Sequence, residues 1–295
     1  MELKSTDLTT VLVCTSNKGK MREFAAAWIP EHRIMGLADL GAEQRRRYGE
    51  PCEDGDSFVH NGLIKLSAAM DALCDADSGG RPDIILVDDS GLVVPALDHR
   101  PGVHSATYAG VPRDDGRNRA RLAAEVRQYQ GAVVRESGER RLDAYFVAAL
   151  LACDWRGVPV AERVAQAARC REALAHLTAK PTVHFPSLFP ALSWEQGVFR
   201  ACERDGLGAC VPHEAVVGHL VPDVTMTMSY GFCRGTVSDT EQQLLEGEGH
   251  GYDALFFPRE FPQLSFASIP LADKNRLSHR GRALGALLRS LSRPH

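Results

Sequence analysis

Nowhere in this chain do 18 apolar residues run together, so no segment reads as a membrane-spanning helix. The first residues, Met-Glu-Leu-Lys-Ser-Thr-Asp, lack the long apolar stretch of a secretory leader. The expectation is a soluble, cytoplasmic protein that binds no membrane. None of the eight cysteines form a C-x-x-C pair, and their spacing fits neither a disulfide framework nor a zinc site. Several sit in apolar runs, as reduced core cysteines do. Charge of one sign is not in excess: the formal net charge is -4, which argues against a nucleic-acid polymer as partner. The arginine-dense spots Arg45-Arg46-Arg47 and Arg140-Arg141 read as solvated faces. Internal repeats and low-complexity tracts are absent, and so is the Walker A spacing G-x-x-x-x-G-K-[ST].

What is present is ordinary globular material. The 295 residues are 44% hydrophobic and 24% charged, enough for a real core. Thr9 to Cys14 predicts a buried strand, followed by a polar loop and a helix from Met21 through Trp28. A strand, a loop with glycine and then a helix is where α/β proteins hold phosphates, because loop N–H groups and the helix N-terminus face an anion. Ser57 to Cys74 reads as an amphipathic helix, with Phe58, Leu63, Leu66 and Met70 at helical spacing. Asp83 to Asp88 predicts a second buried strand that delivers Asp88, Asp89 and Ser90 at its C-terminal end, the usual ligand edge. Arg117 to Tyr129 predicts a helix, Leu142 to Cys153 a long strand, and Thr225 to Val237 its hairpin partner. Between the last two lies the stretch 155–222, with a helical run from Val160 to Leu177 and then Trp194 and Phe199. It reads as an ordered insertion in a hairpin loop, which costs little because loop-closure entropy grows only logarithmically. The domain reading is therefore 1–154 with 223–295, interrupted by 155–222.

Several short segments carry candidate chemistry. In Asp88-Asp89-Ser90-Gly91-Leu92, two carboxylates can hold Mg²⁺ while the serine and backbone meet a phosphate; a strand-terminating turn is the plainer reading. Glu53 in an acidic loop, followed by Asn61 and Lys65, is a further metal ligand candidate; Lys65, two helical turns into the next element, can face phosphates or solvent. In Thr15-Ser16-Asn17-Lys18-Gly19-Lys20, Lys20 supplies a point charge and Asn17 an amide, or the segment is simply a helix cap. Gly247-Glu248-Gly249-His250-Gly251-Tyr252-Asp253 permits close backbone approach to a flat ligand, or is a hairpin turn. Ser278-His279-Arg280 opens or lies within the last helix, where its donors can reach the oxo groups of a base or merely face solvent.

Together these segments resemble the inosine triphosphate pyrophosphatase family, the non-canonical purine nucleoside triphosphate pyrophosphatases. The family pattern T-x-N-x-x-K-x-x-E is met by Thr15, Asn17, Lys20 and Glu23. E-x-G-x-[ST]-F-x-x-N is met by Glu53, Gly55, Ser57, Phe58 and Asn61, and D-D-S-G-L by Asp88 to Leu92. Pro101-Gly102 with Ser105-Ala106, Gly249 to Asp253, and Lys274 with Ser278-His279-Arg280 follow in the family's order. The resemblance covers nearly the whole chain outside 155–222. It implies an α/β fold with an elongated mixed sheet flanked by helices, two lobes with a cleft between, and usually a homodimer. It implies Mg²⁺-dependent hydrolysis of ITP, dITP or XTP to the monophosphate and pyrophosphate. On this reading Glu53 and Asp89 hold Mg²⁺, and Asp89, or Asp88 beside it, activates the attacking water. Lys20, Lys65 and Ser90 stabilise the phosphates. The substrate-binding set is Thr15 to Lys20, Lys65, Ser90, His250, Gly251, Tyr252, Asp253, Lys274, His279 and Arg280. Lys274, His279 and Arg280 face a 6-oxo base, where a 6-amino purine would set donors against donors.

The chain departs from the pattern in places. His250 stands where the family has Phe, Ala254 where it has Pro, Thr107 where many bacterial members have Arg, and His104 for a common Tyr. A histidine in the base-stacking loop can stack, hydrogen-bond and carry charge. One expectation is therefore a shifted base or sugar preference, with the phosphate and metal residues intact; unaltered ITP/XTP activity is the other. A biosynthetic enzyme for a modified nucleotide, and a non-catalytic nucleotide-binding protein, are the alternatives from other classes.

Overall fold

The structure, a computed structural model, describes residues 8–27, 32–55, 57–74, 81–178, 216–221, 224–242 and 251–291. The strands are β1 (Thr9–Val13), β2 (His32–Gly36), β3 (Ile84–Val93), β4 (Val133–Val134), β5 (Arg140–Asp154), β6 (Val216–Val221), β7 (Val224–Ser238) and β8 (Phe256–Pro258). The helices are α1 (Lys18–Ala27), α2 (Ala42–Tyr48), α3 (Phe58–Leu73), α4 (Asp115–Gln128), α5 (Val160–Thr178), α6 (Leu271–Leu277) and α7 (His279–Leu291). The strands form one mixed sheet in the order β2-β1-β3-β5-β7-β6, with β4 on β5 and β8 on β7. This is the mixed α/β architecture expected from the resemblance.

The sheet changes character at β3. On one side β1 runs parallel to β2 and β3, the helical crossovers supplying the length that parallel pairing needs. On the other side β5 and β7 run antiparallel, as the predicted hairpin partners do. Pairing with β1 stops early. Val13 faces Leu86, Cys14 N–H donates to Leu86 O at 2.8 Å, and the chain then leaves for α1. β3 continues along β5, with Asp88 opposite Leu150, Asp89 opposite Ala149 and Ser90 opposite Ala148. Asp88, Asp89 and Ser90 thus lie inside a strand that runs to Val93, not at its C-terminal end. The long antiparallel partner carries these residues through a stretch that has poor strand propensity of its own.

Strand alternation then separates the two carboxylates. Ile85, Val87 and Val93 belong to a core shared with Phe58, Leu63, Leu66 and Met70 of α3. Ile84 and Leu86 belong to a second core with Phe24 of α1 and Leu284 and Leu287 of α7. With a side-chain period of two, Asp89 emerges on the α3 face and Asp88 on the α1/α7 face. Each fully buried Phe, Leu or Met of α3 stabilises this docking by about 1.5–3 kcal/mol. That is what holds the polar Asn61 and Lys65 of the same helix out of water. The α3 N-terminus is set by Ser57, whose Oγ accepts from His60 N–H at 3.1 Å. A third core, with Leu92, Leu122, Phe146, Tyr252, Phe256 and Phe266, fills the other end of the sheet under α4.

The described parts of 155–222 pack onto this body. Trp155 is fully buried and its Nε1–H donates to Gln166 Oε1 at 3.2 Å. Ala167 and Cys170 of α5 join the α3 core, and β6 extends the sheet beside β7. Trp194 and Phe199 lie outside the described residues.

Candidate active site

Two charged clusters sit on opposite faces of β3, one around each aspartate. On the α1/α7 face, Lys20 Nζ lies 2.6 Å from Asp88 Oδ2. Arg280 Nε lies 3.3 Å from the same oxygen, while its other nitrogens donate to Glu23 and, at 3.0 Å, to Ser90 Oγ. Lys20 is in the first turn of α1 and Arg280 in the first turn of α7, so Asp88 draws two helix N-termini together. Their partial positive charges add to the two cations. Burial would raise the Asp88 carboxyl, but Lys20 and Arg280 outweigh it and hold it well below the usual carboxylate range. Glu23 and Asp88 likewise keep the buried Arg280 charged, above its ordinary value. Asp88 Oδ1 is buried with no hydrogen-bond partner among the described residues.

On the α3 face, Lys65 Nζ bridges Asp89 Oδ1 at 2.9 Å and Glu53 Oε2 at 2.6 Å, and donates to the Asp88 carbonyl at 3.0 Å. Asn61 Nδ2 donates to Asp89 Oδ2 at 3.2 Å. Burial raises the Asp89 carboxyl to about 6, opposed by Lys65 and Lys20 and reinforced by Glu53. Burial alone would lower Lys65; Asp89 and Glu53 override it and raise its pKa. The two candidate metal ligands therefore converge on a single point. Two carboxylates form a hard, all-oxygen donor pair of the kind Mg²⁺ takes when waters and phosphate oxygens complete its shell. Among the described residues no three His, Cys, Asp or Glu side chains are grouped as metal ligands.

The Thr15–Lys20 loop is held by its own side chains. Asn17 Oδ1 accepts from the N–H groups of Gly19 at 2.8 Å and Lys20 at 3.2 Å, and Thr15 Oγ1 accepts from Asn17 N–H. Asn17 is thus the cap of α1 through that oxygen. Gly19 is buried, and Ser16 and Lys18 are exposed. Beyond Ser90 the turn Gly102–Thr107 lies against β3, with Ser105 Oγ accepting from Leu92 N–H at 2.9 Å. A Cβ on Gly91 would come within 2.5 Å of Gly102 O, so only glycine allows that approach.

The candidate base-reading residues separate into three environments. Lys274 Nζ pairs with Asp253 Oδ2 at 2.6 Å, both buried. Tyr252 donates its hydroxyl to Ser105 O at 2.9 Å, and Gly251, in the left-handed region at φ 57°, donates its N–H to Asp115 Oδ2. His279 stacks on Phe146 at 4.9 Å, and its Nδ1 has no hydrogen-bond partner among the described residues. Arg280 is committed to Asp88, Glu23 and Ser90, on the side of the phosphate candidates. His250 lies outside the described residues. Glu23 and Asn61 stand in the spaced motifs without an assigned role, Glu23 one helical turn after Lys20; Phe146 stands in none of them.

Burial, then the positive charge of Arg280, holds His279 well below its ordinary pKa. The unfolded chain takes up a proton there below about pH 6.5, whereas the folded one does not. Stability from this group is complete above that pH and falls by about 1.4 kcal/mol per unit below it. Urea unfolding at pH 7.5 and 5.5 should show a smaller acid loss for His279→Gln than for the parent; equal losses would refute the assignment.

The fold and the two clusters define a class first: an α/β protein with cations and carboxylates gathered around one strand. A sequence model of the Ham1 family matches residues 11–171 and 210–290, and the chain belongs to that family. This is the family that the spaced motifs resemble. A dITP/XTP pyrophosphatase of Geobacter sulfurreducens is 32% identical over 282 residues, covering 95% of each chain. One from Haemophilus ducreyi is 28% identical over 287 residues, covering 96% of this chain and 98% of the relative. Among solved structures, a HAM1 protein from Coxiella burnetii superposes with a TM-score of 0.58 at 17% identity, covering 97% of this chain and 99% of that one. The Staphylococcus aureus Ham1 protein gives 0.57 at 19%, covering 96% and 100%.

Proposed function

We propose that the chain is a nucleoside triphosphate pyrophosphohydrolase that cleaves non-canonical purine triphosphates, ITP, dITP and XTP, to the monophosphate and pyrophosphate. The observation that carries this reading is the gathering of Lys20, Lys65, Arg280, Glu53, Asp88 and Asp89 around one strand from four distant segments. Lys20, Lys65 and Ser90 bind and orient the phosphates, and the N-termini of α1 and α7 favour the same anion. Glu53 and Asp89 would hold Mg²⁺, which when bound neutralises phosphate oxygens and eases departure of pyrophosphate. Asp89 takes the proton of the water that attacks the α-phosphorus, since Asp88 is fully buried and engaged by two cations. Lys274, His279, Tyr252 and Asp253 lie on the base side, with His250 as the stacking residue. Arg280 acts chiefly by fixing Asp88 and Ser90.

We further propose a cytoplasmic homodimer, as the family resemblance implies. Among the described residues no helix is long and apolar enough to cross a membrane. The domain reading carries over as a catalytic body, 1–154 with 223–295, and an accessory segment between. The family model matches 11–171 and 210–290 and so leaves 172–209, within that segment, unmatched, which supports reading an accessory part there.

The test is pyrophosphate release by the parent and His250→Phe across ITP, dITP, XTP, GTP, ATP, pyrimidine triphosphates and diphosphates, with and without Mg²⁺. Metal-dependent preference for ITP and XTP is expected. A substrate ranking that moves toward ITP and XTP in His250→Phe would mark a re-specified base pocket. Nucleotide binding without turnover would replace the enzyme reading by a binding protein.

A further inference from the structure

We propose that Asn61 is a positioning residue that ties the Glu53 loop to Asp89 and so sets the affinity for the divalent cation; this rests on the function proposed above. Asn61 is 2% exposed. Its Oδ1 accepts from Gly55 N–H at 2.8 Å, and its Nδ2 donates to Asp89 Oδ2 at 3.2 Å. The amide orientation follows from its partners, since one is a donor and the other a carboxylate. One side chain therefore joins the backbone two residues after Glu53 to the second carboxylate of the pair.

The loop sits close upon this residue. A Cβ on Gly55 would lie 2.7 Å from Asn61 Oδ1 and 2.7 Å from the His60 ring. Glu53 itself has a side chain 45% exposed, so its loop has little packing of its own to fix it. What holds it is α3, through Asn61 and Lys65, four residues apart on one helix face. The two grips differ in kind. Lys65 is a charge on a long stem, and its ammonium occupies the point where Glu53 and Asp89 converge. A divalent cation and that ammonium compete for the same two oxygens. Asn61 is neutral and short, holds the other oxygen of Asp89, and need not move when the cation binds. It keeps the carboxylates at working separation in either state. Partners of this kind, one shell out from a metal ligand, typically change metal affinity or activity by about 10–100-fold when removed.

The experiment uses two variants. Asn61→Leu keeps the branched outline with somewhat more bulk and removes both hydrogen bonds; Asn61→Ser keeps polarity but cannot span both partners. Mn²⁺ and Mg²⁺ binding to the nucleotide-free protein is measured by calorimetry, and the Mg²⁺ half-saturation of pyrophosphate release is measured alongside nucleotide KM at saturating metal. We expect cation affinity to fall about 10-fold or more in both readouts, with KM changed less than about two-fold. Should Leu prevent folding, Ser alone decides. Parent-like cation affinity in a folded variant, or a raised KM with unchanged metal dependence, overturns the proposal. If the parent itself neither binds the cation nor releases pyrophosphate, it is the functional reading that fails.

Discussion

Asp89→Asn is expected to slow turnover by about 10²–10⁴-fold, the usual contribution of a positioned general base, without unfolding the protein. Its two oxygens receive Lys65 and Asn61, and an amide can still accept from one of them. What the substitution removes is the charge that, with Glu53, would attract a cation and take a proton. The neighbouring Asp88→Asn should behave differently. Asp88 is the shared anion of Lys20 and Arg280, with no exposed side-chain surface. Breaking a buried ion pair by removing one partner typically costs about 3–5 kcal/mol. The lower end is expected, because Lys20 retains some exposure and Arg280 keeps Glu23. Steady-state turnover and urea unfolding of both variants separate the two roles. An Asp89→Asn enzyme with more than a tenth of parental turnover, or an Asp88→Asn protein of parental stability, would refute the division.

Gly231→Ala is expected to disable the enzyme from a position that bears no functional group. Gly231 lies in β7 directly beneath α7. A Cβ there would fall 1.8 Å from His279 O and 2.5 Å from Ala283 N. Backbone atoms cannot swing aside as side chains do, so α7 has to lift. Ser229 Oγ–H donates to Ala283 O at 2.9 Å and Arg282 to Phe232 O at 2.6 Å, and lifting strains both bonds. Overpacking of this kind costs about 1–3 kcal/mol or more. The helix carries His279 and Arg280 in its first turn, and a displacement of about 1 Å at such groups can reduce rate about 10²-fold. A folded Gly231→Ala variant should therefore show kcat/KM lowered by about that factor, together with a reduced melting temperature. Parental values of both would show that α7 is seated by other contacts.

Much of the fold was legible in advance. The alternation and apolar runs of β1, β5 and β7 and the periodicity of α3 carried their own signal, because burial on one face imposes it. The cap of α1 is readable as well: the Thr15–Lys20 segment can be a helix cap, and Asn17 satisfies the first N–H groups of α1. That Ser57 caps α3 rather than opening it is seen only in the structure. At Asp88-Asp89-Ser90 the local sequence predicts a strand end, whereas the strand runs on to Val93. Asp, Ser and Gly disfavour strands locally, and only the pairing with β5 carries the strand through them. The stretch between β5 and β7 reads as an ordered insertion in a hairpin loop; that Ala167 and Cys170 of its helix α5 pack on the α3 core is decided only by the tertiary structure.

By itself the sequence determined the family, through short motifs whose order and internal spacing are local properties of the chain. It also determined which side chains were available to meet phosphate, metal and base. Their division of labour was decided by the tertiary structure. Whether two adjacent aspartates act as a pair or on opposite faces depends on whether a strand passes through them, and a long-range partner settles that. Arg280 meets Asp88 across 192 residues of chain, and nothing local to either residue encodes that distance. The docking of α7 on Gly231 does, because the bare backbone of β7 is where the helix can come close enough.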